Sequence, residues 1–196
     1  LLPYWYSTFN EAYTKGIPVM RTMFTEFPSD PSTFTIDDQW MVGSALLVKP
    51  VSEAGATTVS VYLPMTLEKG VRQIWYDFHT MQRVETTNAQ IIASAPLDKI
   101  PVFLRGGKII PRKLRLRRSS KLMYYDPYTL VIAYDSDLNA EGMLYLDDEY
   151  STEYEHNPTD ASAVREFVMT GGSKLTCRGK GSYQSPNTLE RIIIAG

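Results

Sequence analysis

The apolar pattern of this chain changes its period once. Leu1, Leu2, Trp5, Phe9 and Ala12 fall at spacings near three and four, and Gly16 follows as a natural stop, so residues 1–15 are expected to form an amphipathic helix. Ile17 to Phe24, IPVMRTMF, is a short β-rich run. A lone helix and strand cannot make a domain, so the opening reads as the tail of a larger α/β unit, leaving through the turn Phe27-Pro28-Ser29-Asp30-Pro31. Beyond Pro31 the chain becomes a series of short strands separated by Gly, Pro, Asn and Asp. One set is expected at 40–42, 45–51, 57–63, 71–76 and 90–93, and a second at 129–134, 141–146, 166–169, 174–178 and 190–194. Strands at this spacing suggest β-sandwiches or small barrels.

Between the two sets lies IPVFLRGGKIIPRKLRLRRSS, from Ile100 to Ser120. Val102-Phe103-Leu104 and Lys108-Ile109-Ile110 flank a Gly106-Gly107 pair, which predicts a β-hairpin, since two-residue turns favour glycine. In the basic run that follows, Leu114 and Leu116 alternate with Lys113, Arg115 and Arg117, which predicts a half-buried strand in a connector. The polar stretch from Glu149 to Ala163 reads as a mobile loop.

Composition narrows the classes. A length of 196 residues allows one good core or two small ones, and 43% hydrophobic with 21% charged residues is globular. A formal net charge of -2 implies no strong global attraction to nucleic acid or anionic lipid, and the basic run has no interleaved aromatics. Cys177 is the only cysteine, so no intrachain disulfide or cysteine-based zinc site can form, and His79 and His156 make no paired-imidazole motif. No cofactor or metal site is therefore expected. No apolar run reaches the roughly 20 residues that cross a bilayer. Asn157 precedes Pro158, so no glycosylation sequon is present.

Candidate chemistry begins with carboxylates, because paired acids held about 5 to 9 Å apart can cleave glycosides. Asp37-Asp38, Asp135 with Asp137, and Asp147-Asp148-Glu149 are the clusters. Adjacent strand residues face opposite ways, so turn and strand-end carboxylates bonding nearby N–H groups are the expected reading. Asp135-Ser136-Asp137-Leu138-Asn139 starts like a calcium loop but has Ala140 where glycine is needed and Leu146 where a bidentate Glu is needed, so a β-turn is expected. Trp5, Trp40 and Trp75 could stack on sugar rings, but each lies among apolar neighbours, and core packing is the expectation. No GxSxG, Cys-His pairing or Walker lysine is present.

Taken in order, several segments resemble glycoside hydrolase family 31. They are Leu1-Leu2-Pro3-Tyr4-Trp5-Tyr6, Gly16-Ile17-Pro18-Val19-Met20-Arg21, Ile36-Asp37-Asp38-Gln39, and Gly43 with Ala45-Leu46-Leu47-Val48 and Pro50-Val51. Further on come Trp75-Tyr76-Asp77, Pro101-Val102-Phe103 with Arg105-Gly106-Gly107, Ile110-Pro111-Arg112, Arg117-Arg118-Ser119-Ser120, Asp126-Pro127 and Leu144-Tyr145-Leu146-Asp147-Asp148. Pro111-Arg112 and Arg117-Arg118-Ser119-Ser120 are most similar to the branch whose catalytic α subunit trims α-linked glucose from N-glycans. Thr22, Ser44 and Glu149 depart from the family's usual Pro, Asp and Gly, which bears on local turns rather than on membership.

The resemblance implies a mainly β fold: two C-terminal β-sandwiches preceded by the last helix and strand of a (β/α)8 barrel. The implied domains are 1–27 as the end of the catalytic barrel, 28–111 as the proximal sandwich and 112–196 as the distal one. It implies a piece of a longer retaining α-glucosidase whose two catalytic aspartates lie on barrel loops outside this chain, so that no catalytic, cofactor-binding or metal-binding residue is assigned and the chain alone is inactive. Arg21 and Phe24, nearest the parent's site, are expected to pack or support. Implied partners are the parent barrel, a noncatalytic β subunit and, through the parent, an oligosaccharide substrate, with no nucleic acid or membrane partner; the implied location is the endoplasmic reticulum lumen. Two other readings are a carbohydrate-binding β-sandwich with Trp40 or Trp75 exposed, and a subunit-contact module using Arg115 and Arg117.

Overall fold

A computed structural model describes residues 1–65 and 72–196. The fold is mainly β. Helix α1 (Leu2–Lys15) is followed by β1 (Met20–Thr22), a helical turn α2 (Met23–Glu26), β2 (Trp40–Val42), β3 (Leu46–Val48), β4 (Thr58–Tyr62), β5 (Trp75–Asp77), β6 (Gln90–Ser94), β7 (Val102–Arg105) and β8 (Lys108–Arg112). Then come β9 (Tyr128–Ala133), β10 (Ala140–Leu146), the helical turns α3 (Glu153–His156) and α4 (Pro158–Ala161), β11 (Ala163–Thr170), β12 (Lys174–Lys180) and β13 (Leu189–Ala195). Both predicted sets of strands form, though Val71, where one was expected to start, lies outside the described residues.

The chain divides into two compact units. One comprises Pro18–Lys108, Ala133–Asp137 and Ala195–Gly196; the other comprises Leu1–Ile17, Ile109–Ile132 and Leu138–Ile194. In the first, an antiparallel sheet runs β1-β2-β3-β7-β5, and β4 pairs with β6 in a separate two-stranded ribbon. Alternation sends Met41, Leu47, Trp75 and Phe103 from the sheet and Val61 from the ribbon into one core with Met23, Phe27 and Leu63. Two sheets burying one face each against the other is a sandwich. Trp75, 2% exposed, anchors it and donates its indole N–H to Pro64 O at 2.8 Å.

The expected strand over Ile17–Phe24 stops at Thr22. From there a single helical turn places Met23 and Phe27 one turn apart, both in the core, and leaves Phe24 exposed.

At the end of β5, Asp77 organises a turn. Its Oδ1 accepts from the backbone N–H groups of His79 (2.9 Å) and Thr80 (2.8 Å), and its Oδ2 from Lys99 Nζ at 3.3 Å. Burial alone would raise this carboxyl, but those donors outweigh it and hold it below the ordinary carboxylate range. The stabilisation is therefore complete above the unfolded carboxylate's value of about 4 and is lost as pH falls through the lower folded value. Comparing urea midpoints of the wild type and Asp77→Asn as a function of pH should give a gap that is largest above pH about 5 and closes toward pH about 2. A gap independent of pH would assign the turn to hydrogen bonding alone.

The second unit is built on a six-stranded sheet ordered β12-β11-β10-β8-β9-β13. β9 is buried along its whole length, which explains its apolar run Leu130–Ala133. Helix α1 lies against β10, but through Pro3, Tyr4, Ser7 and Thr8, while Leu2 and Phe9 of its apolar stripe stay exposed. The hydroxyls of Ser7 and Thr8 donate to Pro3 O and Tyr4 O at 2.8 Å, and Ser7 Oγ accepts the Tyr145 backbone N–H at 3.0 Å. A polar helix face can thus cap a sheet because its hydroxyls are satisfied. The polar 149–163 stretch contains α3 and α4 rather than an unstructured loop, with Tyr154 packed edge-on to Tyr13 at 6.1 Å.

The Gly106-Gly107 segment is not a hairpin. β7 pairs with β3 and β5 in the five-stranded sheet, whereas β8 lies between β10 and β9 in the six-stranded one. Gly106 N–H donates to Ile74 O at 2.7 Å and Gly107 N–H to Ala133 O at 2.8 Å, so the turn is held by partners outside it. Gly107 has φ 84°, and a Cβ on Gly106 would lie 2.7 Å from Tyr134 O, so the pair is required by conformation and by close approach.

Candidate functional site

Most of the acids singled out in the sequence serve their own turns. Asp135 Oδ1 accepts the backbone N–H of Asp137 at 2.9 Å, the turn expected there, and Asp148 Oδ1 accepts those of Tyr150 (3.0 Å) and Ser151 (2.9 Å). Asp38 is paired with Lys49. The tryptophans divide: Trp75 is core, while Trp40 and Trp5 are half-buried. A sandwich that binds sugar through an exposed Trp75 is excluded by its burial.

The basic run is not the alternating strand expected. β8 ends at Arg112, Leu116 is 99% exposed and Lys113 is 8% exposed. Lys113 goes inward because Nζ donates to Met123 O and Tyr124 O, both at 3.0 Å, and sits 4.8 Å from the Tyr128 ring centre. Those carbonyls come from the 3-10 turn at Ser120–Met123, which a local alternation rule cannot see. Arg117 grips Asp126 through Nε (3.0 Å to Oδ2) and Nη2 (2.7 Å to Oδ1), which holds that carboxyl below its ordinary range. Arg115 reaches Glu190 at 3.4 Å. Both arginines proposed as subunit contacts are thus engaged within the chain.

Arg21 sits in a buried network. It is 5% exposed, and its Nη1 contacts Glu26 Oε1 at 2.6 Å while Nε donates to Pro18 O at 3.0 Å. The other oxygen of Glu26 takes Arg105 Nη1 at 3.2 Å. Arg105 lies 4.7 Å over the Phe27 ring and donates through Nε to Gln73 Oε1 at 2.8 Å, and Gln73 returns its amide to Ile74 O and Gly106 O. One carboxylate therefore neutralises two guanidiniums inside the first unit, which is support, as expected of Arg21; Phe24 takes no part.

In the second unit, a concave site gathers aromatic and ionisable groups. A cavity of about 300 Å³ is bounded by α1 residues Trp5, Tyr6 and Phe9, by Lys113, and by Tyr145, Asp147 and Glu149 at the end of β10. Asp147 is buried, and the Tyr6 hydroxyl donates to it at 2.7–2.8 Å, while its Oδ1 accepts the Glu149 N–H at 2.8 Å. Burial first, then the hydrogen bond to Asp147, pushes the Tyr6 phenol far above its usual range, and burial followed by the charge of Asp147 does the same to Tyr145. These phenols stay protonated at neutral pH and act as donors. Glu149, on the rim, has φ 61°, a left-handed conformation for a residue with a side chain. Its carboxyl is raised by burial, against the pull of Lys113 and with a further push from Asp147. Lys113 is lowered by burial, offset by Glu149 and Asp126. Tyr6 and Ser7 meet Asp147 and Tyr145 across 141 and 138 residues of sequence, so no spacing motif could have announced the site.

Comparison with known proteins adds the following. Residues 16–110 match the Glycosyl hydrolase family 31 C-terminal domain. The whole chain aligns with Neutral alpha-glucosidase AB of Mus musculus at 40% identity and with that of Homo sapiens at 39%, covering 20% of each. Probable glucan 1,3-alpha-glucosidase of Arabidopsis thaliana is 41% identical, again over 20% of its length. The crystal structure of a glucosidase II alpha subunit bound to alpha3-Glc2 superposes with a TM-score of 0.87 at 34% identity, covering 99% of this chain and 21% of that one. A similar likeness, TM-score 0.86, is to the catalytic subunit in an ER glucosidase II heterodimeric complex with the binding domain of its regulatory subunit. The chain spans about a fifth of the length of the curated relatives it matches.

Proposed function

This chain belongs to glycoside hydrolase family 31, as part of that family's C-terminal region, and from that premise we propose that it braces the catalytic barrel of a glucosidase II-like retaining α-glucosidase. The observation that carries this is coverage: the chain matches end to end, at about 40% identity, yet corresponds to only 20% of each α-glucosidase. In this reading residues 1–27 close the barrel, 28–111 form the proximal sandwich and 112–196 the distal domain. The parent trims α-linked glucose from N-glycans in the endoplasmic reticulum lumen, alongside a noncatalytic subunit of the kind named for the heterodimeric relative.

Retaining hydrolysis needs one carboxylate to attack the anomeric carbon and a second acid to protonate the leaving oxygen. The buried and half-buried acids Glu26, Asp77, Asp126 and Asp147 already accept hydrogen bonds or ion pairs from their own chain. They support a structural assignment, with the catalytic pair supplied by the barrel. Purified chain incubated with an aryl α-glucoside should release no phenol above the buffer rate; clear turnover would overturn the assignment.

A further inference from the structure

Helix α1 is inverted for a surface helix. Its apolar stripe, Leu1, Leu2, Trp5, Phe9 and Ala12, spans about 100° of arc at 3.6 residues per turn, the width of a face that packs on a core. Within this chain none of the five is buried: Leu2 is 52% and Phe9 56% exposed, while Leu1, Trp5 and Ala12 are half-buried. The residues it buries are Pro3, Tyr4, Ser7 and Thr8, on the side where Ser7 Oγ takes the Tyr145 N–H of β10. The helix therefore has two packing faces, and the chain satisfies the more polar of them. The apolar one has no core to cover.

Three observations select what covers it. Trp5 and Phe9 lie side by side with ring centres 6.2 Å apart, a contiguous apolar surface of the kind that marks an interaction site. A membrane surface is not the occupant, because interfacial helices carry a polar face rich in Lys and Arg, whereas α1 has a single cation, Lys15, paired with Glu11 at 2.9 Å. A β-sheet fits instead. The helix is followed at once by the β-rich run Ile17 to Phe24, the order in which an α/β unit lays helices over a parallel sheet whose faces must both be covered. The chain corresponds to only 20% of its relatives, which leaves ample sequence to supply that sheet.

We propose that the face of α1 formed by Leu1, Leu2, Trp5, Phe9 and Ala12 is a docking surface for the apolar face of a parallel β-sheet, supplied by the catalytic barrel of the longer protein. The inference rests on the barrel-bracing reading and adds the surface through which the brace is made: α1 is a two-sided spacer, held to β10 by hydroxyls and to the barrel by its apolar stripe.

Hydroxyl-radical footprinting read by mass spectrometry tests it, on the isolated chain and on the longer protein that contains it. Trp5 and Phe9 should be oxidised at least about tenfold less in the longer protein, because a close-packed interface excludes the water that carries the radical. Phe9→Ser should leave the melting temperature of the isolated chain within about 2 °C, since serine and phenylalanine have similar helix propensities and the ring is exposed there, yet lower that of the longer protein by at least about 5 °C. The α-glucosidase activity of the longer protein checks the underlying reading separately, and its absence would remove the barrel as the occupant. Equal oxidation of both rings in the isolated chain and in an active longer protein would overturn the docking surface alone. A dimer of the isolated chain that protects both rings, with no further protection in the longer protein, would overturn it in favour of a second copy.

Discussion

Replacing Glu26 by alanine is expected to lower the unfolding free energy by about 3–5 kcal/mol, read as a large drop in the urea midpoint, because it removes the one carboxylate that bridges two largely buried guanidiniums. Arg21 would keep its bond to Pro18 O, and Arg105 those to Gln73 and the Phe27 ring, but both would lose the carboxylate they share. Glu26→Gln, which retains an acceptor oxygen, should cost less, and adding Arg21→Met to Glu26→Ala should recover part of the loss by removing one buried positive charge. A loss for Glu26→Ala below about 1 kcal/mol would mean that water reaches the pair and screens it as at a surface.

Gly142→Ala is expected to cost about 3 kcal/mol or more, for a different reason. A Cβ there would lie 2.0 Å from Ile109 O and 2.8 Å from Ile109 C. These are backbone atoms of β8, so no side-chain rotation can make room, and the strands must part or the ladder must break. β10 lies between β8 and β11, with Gly142 opposite Phe167, so the strain falls inside the sheet. Equilibrium unfolding in urea would measure it, and a loss within about 0.5 kcal/mol, the usual effect of a surface change, would contradict the approach described.

What could be read from the chain beforehand follows a physical rule. Short-range signals worked: Trp40–Val42 and Glu141–Leu146 lie in strands, Gly16 ends α1, and the Asp135 side chain closes a local turn. Reading failed where the deciding partner is remote in sequence. Gly106-Gly107 looks like a hairpin because its neighbours are apolar, yet Ile74 O and Ala133 O decide its conformation. Lys113 looks exposed until the carbonyls of Met123 and Tyr124 are brought over it. The stripe on α1 was visible as a helix signal, but the face that packs carries Ser7 and Thr8, whose hydroxyls are made acceptable by carbonyls one turn back. The cavity was illegible for the same reason, since Tyr6 and Asp147 are 141 residues apart in the sequence. Family resemblance recovered the architecture because it carries such remote information; it carried nothing about the cavity.

Because Ala133–Asp137 and Ala195–Gly196 belong to the unit that otherwise runs from Pro18 to Lys108, the two units are interleaved along the chain. No single cut in the backbone releases either of them whole. Ribosomal synthesis must therefore reach the last residues before Gly196 N–H can meet Met81 O at 2.9 Å, and a premature stop anywhere in the second half leaves both units missing a part. An expression fragment trimmed at the apparent boundary near Lys108 would split both.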